Sequence, residues 1–402
     1  MAKRNLIVNV YLDSVANPVE GATVTIKGEG YQKIFKTNAE GKTNPIELDA
    51  PEKEYSLTPQ DTVRPYSLYD VKATKDGKTT TVKNVEILPG ETSLQDVFLK
   101  TDEPVDVIDL PEHVLWGDYE PKIPEEPIKE DPNDLTRVLP RVIIPEYIIV
   151  HDGTPTSGAT NYIVPFIDYI KNVASSEIYS TWHVEAIKAN IHAIVSFTLN
   201  RIYTEWYPSR GYNFTITSSP AYDQKYTPNR TIFQSIANVV NEYFRYYIRL
   251  PNVTQPLLAQ YNDGVKTNNS GWLSQWGSQE LATAGYKALD ILRRYYTSTL
   301  TLQVAPEVVG LPVSFPGYNL RVGSCGEAVQ KVQIELNRIR GNYPAIPAIS
   351  PANGQYGEST KKAVEAFQKA FNLPVTGVID FATWFKISYV FTAVAGLQQG
   401  VS

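Results

Sequence analysis

Sulfur is almost absent from this chain of 402 residues: Cys325 is its one cysteine and Met1 its one methionine. A single thiol excludes any intrachain disulfide, so redox compartment cannot be read from cysteine pairing. So little oxidisable sulfur fits work outside the reducing cytosol. Long apolar runs are also missing, and none approaches the ~20 residues a membrane-spanning helix needs. The N-terminal Met1-Ala2-Lys3-Arg4-Asn5 is positively charged, but the apolar stretch behind it, Leu6 to Leu12, has the length of a strand and not of a signal peptide. Export is therefore expected to use another route. There is no basic excess either. The 37 Lys and Arg face 43 Asp and Glu, a net charge of -6, which argues against a general nucleic-acid binder. An anionic polymer has to be held by local features. Histidine is scarce, four in all, and His151, His183 and His192 are too scattered for a recognisable ligand set.

What is present is ordinary globular material, 42% hydrophobic and 20% charged, enough for about two or three domains at ~150 residues each. Residues 1–100 are strand-rich. Apolar residues alternate in Ala22-Thr23-Val24-Thr25-Ile26 and Tyr66-Ser67-Leu68-Tyr69-Asp70-Val71, with turn signals at Glu40-Gly41, Asp76-Gly77 and Pro89-Gly90. That pattern predicts a small β-sandwich. The segment Asn17-Pro18-Val19-Glu20-Gly21-Ala22-Thr23-Val24 with Thr37-Asn38-Ala39-Glu40-Gly41 resembles the carboxypeptidase-regulatory-like (transthyretin-like) fold. This block carries no catalytic constellation and reads as a spacer, a docking module or a prosequence.

Residues 101–140 interleave prolines (Pro104, Pro111, Pro121, Pro124, Pro127, Pro132, Pro140) with acidic side chains, and predict an extended linker. Leu115, Trp116 and Tyr119 are the residues in it suited to docking on a neighbour. Residues 141–305 are mixed and aromatic-rich. From Trp182 onward Ala186, Ile187, Ile191, Ile194, Val195, Thr198, Leu199 and Ile202 share one helical face. Further helices are predicted around 233–244 and 280–292, with short strands near 142–148 and 299–304.

The last block, 306–402, places Gly326 ahead of Val329, Val332, Gln333 and Leu336. Asn353-Gly354-Gln355-Tyr356-Gly357, Thr360 and Phe367-Gln368 follow. This spacing resembles the peptidoglycan-binding-domain-1 family, a three-helix module. The resemblance implies wall contact by Tyr356, Gly357 and Gln368. Tyr356-Gly357 reads as a tight turn that favours glycine, with Ser359 or Thr360 capping the next helix. The departure is a longer insert, Arg340 to Pro351.

The middle block carries two further signatures. One is Tyr169-Ile170, then Ser176-Glu177-Ile178, Trp182 and Glu185-Ala186-Ile187-Lys188-Ala189. The other is Leu273-Ser274-Gln275-Trp276-Gly277-Ser278, then Leu281-Ala282 and Gly285-Tyr286. Together they resemble the stage II sporulation protein D family of lytic transglycosylases. The block order as a whole resembles the spore cortex-lytic enzymes of the clostridial type. Cleavage of the muramoyl-glucosaminyl bond in spore cortex during germination is what that resemblance implies. It also implies a zymogen activated by a protease near Arg141 and Val142.

On this reading Glu177, at the entrance to a helix, is the proton donor and Glu280 its rival. Tyr179, Trp182, Tyr261 and Trp276 are candidates to stack on sugar rings, and Ser274 and Gln275 to bond N-acetyl or lactyl groups. Asn262 and Asp263 shape the loop or orient the acid. The blander reading makes Glu177 a first-turn carboxylate complementing a helix dipole. Some relatives carry Cys or His in the loop from Tyr261 to Trp272; here it has neither, and no metal or cofactor is expected. The fold class expected is multidomain α+β: an N-terminal β-sandwich, a central α+β catalytic domain and a C-terminal three-helix module. The partner is peptidoglycan glycan, not nucleic acid or a membrane, and the location extracytoplasmic. A phage tail or contractile injection particle is an alternative setting, and a non-catalytic wall-binding protein an alternative class.

Overall fold

Alternation of the first hundred residues becomes two facing sheets. Strand Ala2–Leu12 pairs in parallel with Thr92–Leu99 and antiparallel with Ser14–Pro18 and Ile46–Ala50. The second sheet runs Tyr31–Lys36, Thr23–Gly28, Ser67–Lys75, Lys78–Ile87, Val105–Asp109. Leu6, Val8, Val10, Val24, Ile26, Val71, Val82 and Val97 point inward from both and close the core. The computed structural model describes residues 2–59, 63–113, 115, 122–126, 139, 141–305, 307–309 and 315–396.

Within the stretch read as linker, Val105–Asp109 is the last strand of the second sheet. Leu110 joins the sandwich core, and His113 and Leu115 are buried. Trp116 and Tyr119 lie outside the described residues. Residues 122–126 lie across the middle block as a strap, described below.

The middle block is built on helices α1 (Phe166–Glu177), α2 (Val184–Tyr203), α3 (Gln234–Tyr243), α4 (Gln275–Thr283) and α5 (Ala288–Tyr295). The sequence pattern gave α2 one apolar face. In the structure nearly every residue from Ala186 to Tyr203 is buried. The cause is position, since α1, α3, α4 and α5 surround it. The single helix expected over 280–292 is two. Gly285, at φ +95, ends α4 with the Tyr286 N–H returning to the Leu281 carbonyl at 3.0 Å. Short strands close the block: Tyr147–His151 with Asn161–Pro165, Tyr246–Arg249 with Thr301–Val304, and Tyr261–Asn262 with Leu273–Ser274.

The C-terminal module packs α6 (Glu327–Ile339), α7 (Glu358–Ala370) and α8 (Phe381–Val394) around Leu336, Val364, Phe367 and Trp384. Its α8 also contributes Ala382 and Phe385 to the core of the middle block. The middle block in turn adds Ile232–Phe233 to the edge of the first sandwich sheet. The protein is therefore a multidomain α+β chain, β-rich at its N-terminus and helical at its C-terminus.

Candidate active site

Glu177 does not enter a helix; it is the last residue of α1. The sequence reading missed α1, although Phe166, Ile167, Ile170, Val173 and Ala174 have the 3- and 4-residue spacing that marks it. The consequence is electrostatic. A helix C-terminus carries partial negative charge, so an ionised glutamate there is disfavoured, the reverse of the dipole-complementing role. The carboxyl is also 4% exposed. Its Oε1 accepts the Lys225 N–H at 2.7 Å. Its Oε2 has no hydrogen-bond partner among the described residues. Burial raises its pKa above the ordinary carboxylate value, against the opposing pull of Lys122, the Lys225 N–H and Tyr261.

Three segments surround this buried carboxyl. Loop 221–225 supplies Asp223, Gln224 and Lys225. Gln224 Oε1 accepts from the Tyr169 hydroxyl at 3.1 Å and from Thr198 at 2.8 Å. Asp223 is fully engaged: Oδ1 takes Arg201 Nε at 2.6 Å, and Oδ2 takes the Tyr207 hydroxyl, the Thr217 N–H and the Thr217 hydroxyl at 2.6 to 2.8 Å. The second segment holds Tyr261 and Asn262. Both are buried; the Tyr261 hydroxyl lies toward Glu177 and Gln224 without a well-formed hydrogen bond, and neither Asn262 amide atom has a partner among the described residues. The Tyr261 hydroxyl faces Glu177 and is raised by burial and by that carboxylate. Asp263 shapes the loop instead. Its Oδ1 collects the N–H groups of Val265, Lys266 and Thr267.

The third segment is the strap. Lys122 is buried with its ammonium on the Asp223 carbonyl and over the rings of Tyr261 (4.4 Å) and Phe197 (4.8 Å). Burial lowers its pKa to about 8, with Glu177 and Asp223 pulling the other way. Glu125 reaches the buried Arg201 of α2 with both oxygens, 2.5 and 3.0 Å from the two terminal nitrogens. None of Lys122, Glu125, Arg201, Asp223, Gln224 and Lys225 was singled out in the sequence. Arg201 carried a readable signal, the one charge in the stretch of α2 that follows Lys188.

The second signature builds a different part of the same block. Ser274 caps α4, its hydroxyl taking the Gly277 N–H at 2.9 Å. A Cβ on Gly277 would meet the Tyr295 hydroxyl at 2.0 Å and the Ser274 hydroxyl at 2.8 Å, so any larger residue in this first turn of α4 displaces both side chains. Gln275 is buried. Trp276 packs tilted against Trp182 at 4.9 Å and edge-on to Tyr179 at 6.0 Å, and all three are buried. The Trp182 indole N–H donates to the Ser56 carbonyl at 2.9 Å and Tyr179 packs 4.9 Å from His113. These rings are core against the N-terminal segment, which removes them as open sugar platforms in this conformation. Glu280 lies exposed on α4, away from the burial that shifts Glu177. Arg141 is exposed, whereas Val142 is buried in the core.

In the C-terminal module Tyr356 is buried, with its hydroxyl on the Gly377 carbonyl at 2.9 Å. Gln368 is buried too and staples the 376–378 turn through Thr376 N, Gly377 N and the Val378 carbonyl. Gly357 has ordinary extended backbone (φ -100) and open space where a Cβ would lie. The glycine-requiring position in this turn is Gly354, at φ +77. Thr360 is not a cap; it lies buried within α7 and accepts from Gln333 at 2.9 Å. These residues build the module, and their burial keeps Tyr356 and Gln368 off its surface.

Residues 325–387 match the family model for the peptidoglycan binding domain. A peptidoglycan-binding domain is present. A zinc D-Ala-D-Ala carboxypeptidase of Streptomyces albus G is 44% identical over 68 residues, which is 17% of this chain and 25% of that protein. The chain thus matches about a quarter of that relative's length. Among solved structures, a 5-hydroxyisourate hydrolase from Klebsiella pneumoniae aligns over 24% of this chain and 89% of its own, at 16% identity and a TM-score of 0.16. A cohesin–X-dockerin complex from Acetivibrio cellulolyticus aligns over 26% of this chain and 56% of its own, at 18% identity and a TM-score of 0.16. Neither structural likeness bears on what this chain does. The insert that sets this peptidoglycan-binding domain apart has a place in the fold. Asn342 donates to the Ala16 carbonyl at 2.9 Å and the Tyr343 hydroxyl to that of Val15, so the insert docks on the sandwich.

Proposed function

We propose that this chain is a peptidoglycan lytic transglycosylase with Glu177 as the carboxyl that moves the proton. One observation carries the reading: Glu177 is a buried carboxyl with one oxygen fixed by a backbone N–H, the other without a well-formed hydrogen bond among the described residues, and a raised pKa. A protonated carboxyl so placed suits donation to a glycosidic oxygen. Two-carboxylate glycosidases need a second free carboxylate about 5–9.5 Å away. The neighbouring Asp223 is spent on Arg201, Tyr207 and Thr217. One-carboxylate chemistry answers that arrangement. Glu177 protonates the oxygen between N-acetylmuramic acid and N-acetylglucosamine. The resulting carboxylate then takes the proton of the muramoyl C6 hydroxyl, that oxygen bonds to C1, and a 1,6-anhydro end forms without water.

The peptidoglycan-binding domain supports a wall substrate, and the resemblance of the middle block supports spore cortex as the setting. Since the strap packs beside Glu177 and on Tyr261 while the N-terminal segment packs on Tyr179 and Trp182, we read the full chain as a zymogen, cut by a protease beside the exposed Arg141. An extracytoplasmic site of action follows from the substrate. The test is mass spectrometry of products from purified sacculi or cortex, with and without limited proteolysis. Anhydromuropeptides are expected, and Glu177→Gln should lower their yield by at least 100-fold while wall binding persists. Reducing ends would make the enzyme a hydrolase, and no products at all would leave a wall-binding protein.

A further inference from the structure

We propose that Arg201 is a carboxylate-binding site of the cleft, and that Glu125 of the strap fills it in place of a carboxylate of the wall polymer. The inference rests on the cleft reading above but concerns binding, not turnover. Arg201 is held without Glu125: its Nε bonds Asp223 at 2.6 Å and one terminal nitrogen bonds the Tyr222 carbonyl at 3.0 Å. What remains is the end of the guanidinium fork, the geometry that receives a carboxylate with two parallel bonds. Glu125 makes those bonds.

The strap is bound as a ligand is bound. Its Ile123 N–H donates to the Ala221 carbonyl at 2.6 Å, Gln260 Nε2 donates to the Ile123 carbonyl at 3.0 Å, and the Glu125 N–H donates to Gln260 Oε1 at 3.3 Å. The Ile123 and Pro124 side chains face solvent. Its hold is thus polar: two charged ends and backbone bonds, with no apolar anchor between them. Such contacts exchange for those of a polar ligand with little loss. Beside Lys122 of the strap lie the Tyr261 ring and the buried Glu177, whose Oε2 has no well-formed hydrogen bond among the described residues. Buried polar atoms without partners are costly, and hydroxyl and acetamido groups of a glycan would satisfy them. A glycan seated there brings carboxylates from two sources, the lactyl group of a peptide-free muramoyl residue or the stem peptide.

The experiment is isothermal titration on the full chain and on its Glu125→Gln variant, each also carrying Glu177→Gln so that no turnover occurs. Three probes are used: a peptide-free GlcNAc-MurNAc tetrasaccharide, the same tetrasaccharide with its lactyl carboxylates amidated, and a tetrapeptide-bearing disaccharide. Glu125→Gln should bind at least one carboxylate probe tenfold or more tighter than the parent, and the amidated probe should lose that gain. Gain on the tetrasaccharide assigns the lactyl carboxylate, gain on the peptide-bearing probe alone assigns the stem. Arg201→Lys added to Glu125→Gln should reduce the gain, because a lysine lacks the fork. Equal affinity of parent and Glu125→Gln for both carboxylate probes, or equal gain on the amidated one, overturns the proposal. A binding gain in a protein that yields no anhydromuropeptides keeps the carboxylate site and removes the transglycosylase reading; the converse result does the opposite.

Discussion

Glu177 combines two features that each oppose ionisation, burial and a helix C-terminus, and its Oε2 has no well-formed hydrogen bond among the described residues to offset them. Its proton is therefore held more tightly in the folded state than in the unfolded chain, and each unit of upward shift costs the ionised native state about 1.4 kcal/mol. The sign follows by linkage. A raised carboxyl contributes stability that is present below its unfolded value and lost as pH rises through its native value. Glu177→Gln is neutral at every pH and retains an acceptor for the Lys225 N–H. It should melt higher than the parent at pH 7–8, with the difference closing as pH falls below about 4, the ordinary carboxylate range. Thermal melts across pH 4–8 check this. A variant that melts lower than the parent at neutral pH would show the carboxylate to be a structural asset and not a strained one. The sequence could suggest this residue because it stood among small residues and aromatics. It could not supply the counter-charge, since Lys122 lies 55 positions earlier in a stretch whose composition reads as linker.

At the scale of elements, local chemistry was readable where it is local. The alternating strands of the sandwich and the three helices of the C-terminal module follow from period and turn residues. What escaped the sequence depends on neighbours distant in the chain. The all-round burial of α2 comes from four helices packing on it, and the inward turn of Tyr179 and Trp182 comes with His113 and Ser56. The Ser274-to-Gly277 turn is a case where the pattern was visible and its cause was not. Gly277 is needed for space beside Tyr295 and Ser274. Gly277→Ala should destabilise by about 1–2 kcal/mol, the cost of a disturbed cap and a displaced ring. In a Tyr295→Phe background, where the nearest atom is gone, the same change should cost less. Urea melts of the four proteins decide it: an identical cost in both backgrounds would mean that the hydroxyl is not what the added methyl meets.

At the scale of the whole molecule, the blocks are joined through charge, half-buried at one seam and fully buried at the other. Asp168 of α1 lies 3.6 Å from Lys171 and 3.9 Å from Lys386 of α8, tying the middle block to the peptidoglycan-binding domain. The seam between sandwich and middle block is sharper. Glu86 of the sandwich bonds Arg230 at 2.7 Å and lies 3.3 Å from His113 Nδ1, with Tyr66 and Tyr179 on either side of the imidazole. Burial would raise Glu86, but Arg230 and His113 outweigh it and hold the carboxyl low. Burial lowers His113 to about 4, with Glu86 opposing and Arg230 and Lys225 adding to the depression. A base depressed in the folded state has a fixed consequence. Above pH 6.5 it is neutral whether the seam is closed or open. As pH falls from 6.5 to 4 the opened chain takes a proton that the closed seam refuses, so stability drains by up to about 3 kcal/mol. His192, buried in α2 and also lowered to about 4, adds a separate loss inside the middle block. His113→Phe keeps an aromatic between Tyr66 and Tyr179 and leaves Glu86 paired with Arg230, yet cannot titrate. Calorimetry of parent and His113→Phe from pH 7 to pH 4 should give a shallower fall for the variant, with the His192 share left in both. Parallel curves would place the acid sensitivity elsewhere and leave the seam indifferent to pH.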